Sequence, residues 1–418
     1  MNKKIMSLLM VLFVFVLAAC NGPSDETSMS TSEPVSTKQA KIELVLGFQV
    51  VTEIVDVKDE TRTLFDVLQD RFDITYKSYD FGPMLESIST KEGRFTIEAP
   101  EGSFIAFYVN GEPSMVGVNE IYVKKDHTYR LALEWWDQDA HIAYIINRFI
   151  DQHAATYVND QMLDIHVVIA LAHLGLLEDY ISLEEALADY SSIDSDNISV
   201  SELYKAILTI HALGGDVSSF VRLLVERNDT KKYSAPYALI GLNCGHHGVD
   251  VSAYESELLE TLIGTNMPSQ ALGLDLSGIT LAALSPYIER EDVSAVIQDY
   301  LMFLENNLNE FGGIRDEHFD ENASSLAQLI IGLIAIDVNR LSNVLTNENA
   351  NLIHRLIHRL LDFSNDDGTF YWSLDSDHPD LSFSTPQAFL ALVLYQKYIE
   401  QEQAIRFYDF SSLESLEK

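Results

Sequence analysis

Two hydrophobic periods divide the chain. From Ala140 onward apolar residues recur at helical spacing, and the pattern repeats. Six segments each open on a small or polar residue and continue as an Ala/Leu-rich helix: 164–171, 201–208, 234–240, 278–284, 324–330 and 384–390. With Ile165, Tyr204, Tyr237, Thr280, Ser325 and Thr385 as equivalent points, the spacings are 39, 33, 43, 45 and 60 residues. Each is long enough for a helical hairpin and a loop. These helices are apolar round most of their circumference. Leu326, Leu329, Ile330 and Leu333 share one stripe, and Ile331 and Ile334 cover the neighbouring face, so the helix must be buried on both sides. The helices between them, such as 293–308 and 352–363, are amphipathic. Alternating buried and amphipathic helices predict two concentric layers closed into an (α/α)6 toroid over residues 140–410. An open solenoid is the alternative.

Ahead of the helices the period is two. Ile42, Leu44 and Leu46 alternate with Glu43, Val45 and Gly47, and 50–57 is β-branched, which predicts two paired strands. The period switches over 63–72, where Leu64, Leu68 and Phe72 share a helical stripe. Three more β-rich stretches follow, 94–99, 104–109 and 128–136, with the tight-turn pair Asn110-Gly111 after the second. This order predicts a small β-grasp-like domain over residues 40–136. The fold class is thus multidomain α+β, a small β-grasp-like domain followed by an all-α (α/α)6 toroid.

The first residues have another layout. Lys3 and Lys4 precede an apolar run from Ile5 to Ala19, shorter than a comfortable membrane span, and small residues close it. Leu17-Ala18-Ala19-Cys20 resembles the bacterial lipobox. That resemblance implies a signal peptide at 1–19, lipidation of Cys20, and residence on the extracellular face of the membrane. Residues 20–39 are rich in Ser, Thr, Glu and Pro and predict a disordered, lipid-anchored tether.

Charge narrows the function. The 27 Lys and Arg stand against 64 Asp and Glu, a net charge of -37. Nucleic acid is excluded as a partner, because counterion release needs clustered cations. Two cysteines exclude a disulfide scaffold and a four-cysteine zinc site. Cys244, in a Gly-rich stretch between helices, reads as a reduced structural thiol. The Asp-x-Asp-Asp tetrad of a cyclase is missing, as is the Asp-x-Cys of a zinc prenyltransferase, and with 64 acids a carboxylate pair carries no weight. No catalytic residue is nominated. His354 and His358 stand one helical turn apart, but the stretch reads His-Arg-Leu-Ile-His and suits a solvated basic face. His246-His247, His318 and His378 give no metal spacing, and Asn365-Asp366-Asp367-Gly368 hints at a calcium turn without the full loop. No metal site is expected.

Longer motifs carry a family likeness. Residues 102–112 read GSFIAFYVNGE, followed by Val116-Gly117-Val118 and by Val123-Lys124-Lys125-Asp126-His127-Thr128-Tyr129. This resembles the β domain homologous to the C-terminal domain of transcobalamin and intrinsic factor. It departs at the last turn, where Lys-Asp-His-Thr replaces Lys-Asp-Gly-Asp. Residues 275–287, DLSGITLAALSPY, resemble a segment of bacterial proteins related to the transcobalamin toroid and the prenyltransferase/squalene-cyclase repeats. Phe311-Gly312-Gly313-Ile314 and Asp367-Gly368-Thr369-Phe370 are similar to the turns between those repeats. The domain order is reversed relative to transcobalamin.

The resemblance implies a corrinoid ligand, with no covalent cofactor, held between the toroid mouth and the β domain and passed to an importer. At the mouth, where the starts of the inner helices gather, Asp164, Asp275, Thr280, Asn322, Ser324, Ser325, Gln328, Thr385 and Gln387 are the polar side chains expected to converge. In the β domain the aromatics singled out are Phe107, Tyr108 and Trp136, with Trp135 beside them. Short polar side chains at helix starts also serve as caps, which is the competing explanation. Two other functions stay open: a surface interaction protein for a glycan, peptide or cell-wall polymer, and a toroid polysaccharide lyase or hydrolase.

Overall fold

The structure is a computed structural model. It describes residues 39–410, apart from 59, 81, 159–162, 192–197, 266–272, 310–312, 315–320 and 339–351. The expected signal peptide, Cys20 and all of the tether except Gln39 therefore lie outside the described residues, as does His318.

The first elements are β1 (Gln39–Leu46), β2 (Gln49–Asp56), α1 (Leu64–Arg71), β3 (Phe72–Tyr79), β4 (Gly82–Thr90), β5 (Thr96–Glu98), β6 (Ser103–Val109), β7 (Glu112–Pro113) and β8 (Thr128–Trp135). They form a five-stranded sheet in the order β2-β1-β8-β6-β7 and a three-stranded sheet in the order β3-β4-β5. β1 runs parallel to β8, while β1–β2 and β6–β8 are antiparallel. α1 starts on a capping box, in which Thr63 Oγ1 accepts from Asp66 N at 3.1 Å and Asp66 Oδ2 accepts from Thr63 N at 3.0 Å. Its Leu64, Val67 and Leu68 bury against Ile42, Leu44 and Leu131 of the sheet. The β3–β4 pair is an addition to the expected order. Most of β3 is exposed and polar, so its sequence lacks the alternation that burial of one face would impose.

A second hydrophobic core starts at Ile142. Six inner helices surround it: α3 (Ile165–Leu174), α5 (Val200–Ala212), α7 (Ala235–Leu242), α9 (Gly273–Leu284), α11 (Ala323–Ala335) and α13 (Ser384–Gln401). Each packs on the next, and α13 packs back on α3. The ring is therefore closed, and the open solenoid is excluded. Outside it lie α2 (Gln138–Phe149), α4 (Leu183–Ser191), α6 (Ser218–Arg227), α8 (Ser252–Gly264), α10 (Glu291–Asn307) and α12 (Leu352–Leu361). α2 runs on through a π-helical turn, Ile150–Ala154. The six predicted repeats are these six inner helices.

Two glycines let α9 and α11 cross in backbone contact. A Cβ on Gly278 of α9 would sit 2.2 Å from the Gln328 carbonyl oxygen of α11, and one on Gly332 of α11 would sit 2.3 Å from the Gly278 carbonyl oxygen. Only a residue without Cβ lets these backbones touch.

The C-terminal segment seals one end of the ring. His173 Nε2, in the last turn of α3, lies 2.9 Å from the Phe407 carbonyl, and Tyr408 OH donates to the Ala282 carbonyl at 3.2 Å. Cys244 Sγ donates to the Tyr408 carbonyl at 3.7 Å, and burial pushes its thiol far above the ordinary range. The other end, where the inner helices start, is the mouth. The tip of the β1–β2 hairpin reaches its rim, with the Phe48 ring centred 3.9 Å from that of Tyr371.

Candidate functional site

Alternation along β6 and β8 builds one face of the larger sheet. Phe104 pairs with Glu134, Ala106 with Ala132 and Tyr108 with Arg130, so these side chains project to the same side. Trp136 follows β8, and its ring stacks on Phe104 with centroids 5.8 Å apart. With Met84 and the Pro113–Gly117 segment, Phe104, Ala106, Tyr108, Glu134 and Trp136 line a mostly apolar cavity of about 710 Å³, while the Phe107 side chain alternates to the other face and packs on the core between sheet and α1. One polar pair stands in its wall, where Tyr108 OH donates to Glu134 Oε1. Burial raises the Glu134 carboxyl above its ordinary value.

A second cleft, of about 840 Å³, adjoins the first and shares Glu134 and Trp136 with it. Its far wall is α12 of the toroid, with His354, His358 and Asp362, and its floor carries His141 and Asp139. Trp135 points away from the apolar cavity. Its ring lies parallel to His141 at 4.7 Å and close to Tyr144 at 5.2 Å, at the seam between sheet and helices. Burial, and then the neighbouring His358, push His141 down to about 4. His354 Nδ1 lies 3.0 Å from Tyr395 OH. Among the described residues no three His, Cys, Asp or Glu side chains stand close enough to hold a metal ion. The suspected calcium turn is internally bonded. Asp367 Oδ1 accepts from Thr369 N, Thr369 Oγ1 and Asn365 Nδ2, and Asp366 takes Tyr144 and Arg148.

The structure thus brings Tyr108 and Trp136 to one cavity, whereas the Phe107 side chain lies on the other face of the sheet and packs on the β-domain core. None of the nine mouth residues lines that cavity or the adjoining cleft. Asp164 caps α3, accepting from His166 N at 2.9 Å and Val167 N at 3.3 Å. Asn322 caps α11 by accepting from Ser325 N at 2.9 Å. Thr280 Oγ1 donates to the Leu276 carbonyl at 2.6 Å, Ser324 Oγ meets Ser384 Oγ at 3.2 Å, and Thr385 Oγ1 accepts from Phe370 N at 2.9 Å. Local bonding therefore accounts for these side chains, and for the Ser325 backbone. The Asp275 side chain lies outside the described residues.

Gln328 and Gln387 are different. Gln328 Nε2 lies 3.1 Å from His166 Nε2, a contact from α11 to α3 across the intervening α13. His166 Nδ1 in turn lies 3.3 Å from Asp164 Oδ1. Burial works to raise the Asp164 carboxyl, but His166 and two backbone amides outweigh it and hold the carboxyl below its ordinary value. Gln387 Oε1 is buried and makes no hydrogen bond with the protein. Sequence reading missed His166. The available signal was a histidine in the first turn of an otherwise apolar helix. It also missed Glu134, which alternation along β8 sets on the face opposite Leu131 and Leu133, and Met115, which no periodicity marks.

Residues 61–133 match the family described as a domain of unknown function, DUF4430. The match covers well under half of the chain. No curated protein matches it. Among solved structures the chain is similar in part to the crystal structure of a "putative metal binding protein" from Ruminococcus gnavus. That likeness has 14% identity, covers 24% of this chain and 99% of the other, and has a TM-score of 0.20, at which it carries no argument about function.

Proposed function

We propose that the chain is a lipid-anchored extracellular binding protein. It captures a bulky small molecule with apolar faces and polar edges, a corrinoid first among candidates, and hands it to an importer. One observation carries this reading. Tyr108 and Trp136, two of the aromatics singled out in the β domain, line a single cavity of about 710 Å³ together with Phe104. That lies within the range of about 300–1,000 Å³ usual for small-molecule sites.

The chemistry of the walls suits such a ligand. Apolar contact on Phe104, Met84 and Trp136 supplies the affinity, because area leaves water on both surfaces. The Tyr108–Glu134 pair and the neutral His141 offer polar contacts at the edge, where amides or hydroxyls of the ligand can orient it. The adjoining cleft gives the remaining bulk a place against α12. The ligand thereby lies against the toroid's outer wall and not over its mouth, where caps occupy most of the polar side chains. The reading assigns the chain no catalytic step.

The test is retention of a coloured ligand. The purified chain is mixed with excess cyanocobalamin and desalted, and the visible spectrum of the protein peak is recorded. A stoichiometric red chromophore is expected. Trp136→Ala should weaken binding by roughly 30-fold, from the loss of about 2 kcal/mol of aromatic burial. A colourless peak with cyanocobalamin, cobinamide and hydroxocobalamin alike would overturn the corrinoid assignment.

A further inference from the structure

We infer that the toroid carries a second binding site, for a short acidic saccharide, at the rim of its mouth between α5 and α7. A cavity of about 690 Å³ opens there, walled by Ser199, Ser201, Arg227, Lys231, Tyr233 and Tyr237 with their neighbours. It shares no residue with the sheet cavity or the cleft at Trp136.

The aromatic component is held rigidly and left open. Tyr233 is 58% exposed. The turn presenting it is pinned, because Ser234 N and Ala235 N both donate to the Lys231 carbonyl, at 2.9 and 2.8 Å. Lys231 N donates to Asp229 Oδ1 at 3.0 Å, and Tyr254 OH donates to the Asp229 carbonyl at 2.8 Å. Tyr237 is braced from behind, its ring edge-on to the buried Tyr204 at 5.1 Å. A fixed, solvent-facing ring above a cavity edged by serine hydroxyls matches a sugar. The C–H face of the sugar packs on the ring, and its hydroxyls bond to Ser201, since the Ser199 hydroxyl is held in the capping box of α5.

Charge selects the kind of sugar. Over the whole chain acids outnumber bases 64 to 27. In the stretch 227–234 the balance reverses, with Arg227, Lys231 and Lys232 against Asp229 alone; Lys231 Nζ, 80% exposed, pairs with Asp229 Oδ2 at 3.1 Å, a surface pair that an incoming carboxylate can share. Lys232 Nζ sits 4.7 Å from the centre of the Tyr233 ring, which brings positive charge to the platform itself. A carboxylate on a sugar stacked there meets these cations at close range. The protein's distant negative charge is screened beyond about 8 Å at physiological salt. A long polyanion would instead feel the whole surface.

The experiment titrates the full-length chain, held in detergent micelles, with a hyaluronan hexasaccharide and with neutral chitohexaose, at low and high salt, by calorimetry. The acidic sugar should bind and should weaken as salt rises. Tyr233→Ala and Lys231→Glu should each weaken it by roughly fivefold or more, with unchanged thermal melts showing that both variants fold. Absence of binding by the acidic sugar would overturn the inference. Equal binding of chitohexaose, or indifference to Tyr233→Ala, would do the same. None of these readings depends on whether a corrinoid binds at Trp136.

Discussion

The crossing of α9 and α11 gives a prediction in which two similar substitutions have opposite signs. In Gly332→Ala the new Cβ would lie 2.3 Å from the Gly278 carbonyl oxygen and 3.0 Å from the Gly278 Cα. Both are backbone atoms, so no rotamer change relieves the clash, and the two helices must move apart. Overpacking of a core costs about 1–3 kcal/mol. The better helix propensity of alanine returns at most about 1 kcal/mol. The crossing lies among fully buried residues such as Leu281, Leu329 and Leu333, which would lose contact as the helices separate. The net loss is therefore about 2 kcal/mol. Gly264, at the end of α8, is the matched control. Nothing lies within 4 Å of its added Cβ and its φ is not positive, so Gly264→Ala should stabilise by up to about 1 kcal/mol. Denaturant midpoints followed by far-ultraviolet circular dichroism separate the two. Gly278→Ala combined with Gly332→Ala should cost less than the sum of the single losses, because both act at one contact. A Gly332→Ala midpoint at or above the parent's would refute the close crossing, and so would a fall of equal size in Gly264→Ala.

Three other outcomes are expected. His141 titrates at about 4 against an ordinary 6.5, so it contributes stability above pH 6.5 that is lost as pH falls from 6.5 toward 4. Linkage sets that loss at roughly 3 kcal/mol, and a stability–pH profile of His141→Gln should be flatter by this amount over the same window. Glu321 and Arg359 form a buried two-point ion pair at 3.0 and 2.6 Å, just ahead of the α11 cap. Glu321→Gln should cost about 2 kcal/mol by weakening two charge-assisted bonds to the guanidinium, while Asp362 keeps its own at 2.8 Å, and adding Arg359→Met should recover much of it. A double variant no more stable than the single one would contradict that account. Cys244 should resist a thiol reagent such as Ellman's in the native chain and react only on unfolding, since it is fully buried and its thiol is held far above the ordinary range. Fast native labelling would show the far end of the ring to be open.

The inner helices were legible in the sequence because burial on all sides leaves an unbroken apolar composition that polar loops cannot imitate. Their closure was legible too, in six repeats of alternating buried and amphipathic helices, and the packing of α13 on α3 bears it out. The sheet cavity was half legible. Alternation along a strand foretells that Tyr108 and Phe104 share a face, and that Trp135 and Trp136 point opposite ways. It does not say which loop folds over that face, so Met115 and the Pro113–Gly117 segment could be assigned no place. β3 escaped notice because it buries little. The helix-start residues were chosen by chemistry that capping and binding share, and in the structure local bonding accounts for most of them. His166 and Gln328 meet across α13, a contact fixed only by the ring's curvature.

These facts limit where the molecule can bind anything. The far end of the ring is covered by 405–410, whose Phe410 ring lies 5.5 Å from His211 at the end of α5, and whose Arg406 donates to Ser285 beyond α9 at 3.1 Å. The ring's interior is filled by its own apolar side chains. At the mouth, Asp164, Ser199 and Asn322 turn inward to satisfy the first amides of α3, α5 and α11. Those amides are then not available to an anionic ligand. Capacity for recognition is left at the margins. One is the aromatic face of the sheet, whose Trp136 joins it to the outer wall of the toroid. The other is the cationic stretch at Tyr233 on the rim. The toroid thus acts chiefly as a rigid body against which a smaller domain presents its cavity. On the binding reading proposed above, the domain order raises no conflict for that reason: the cavity needs only a wall, and an outer helix next to β8 supplies it.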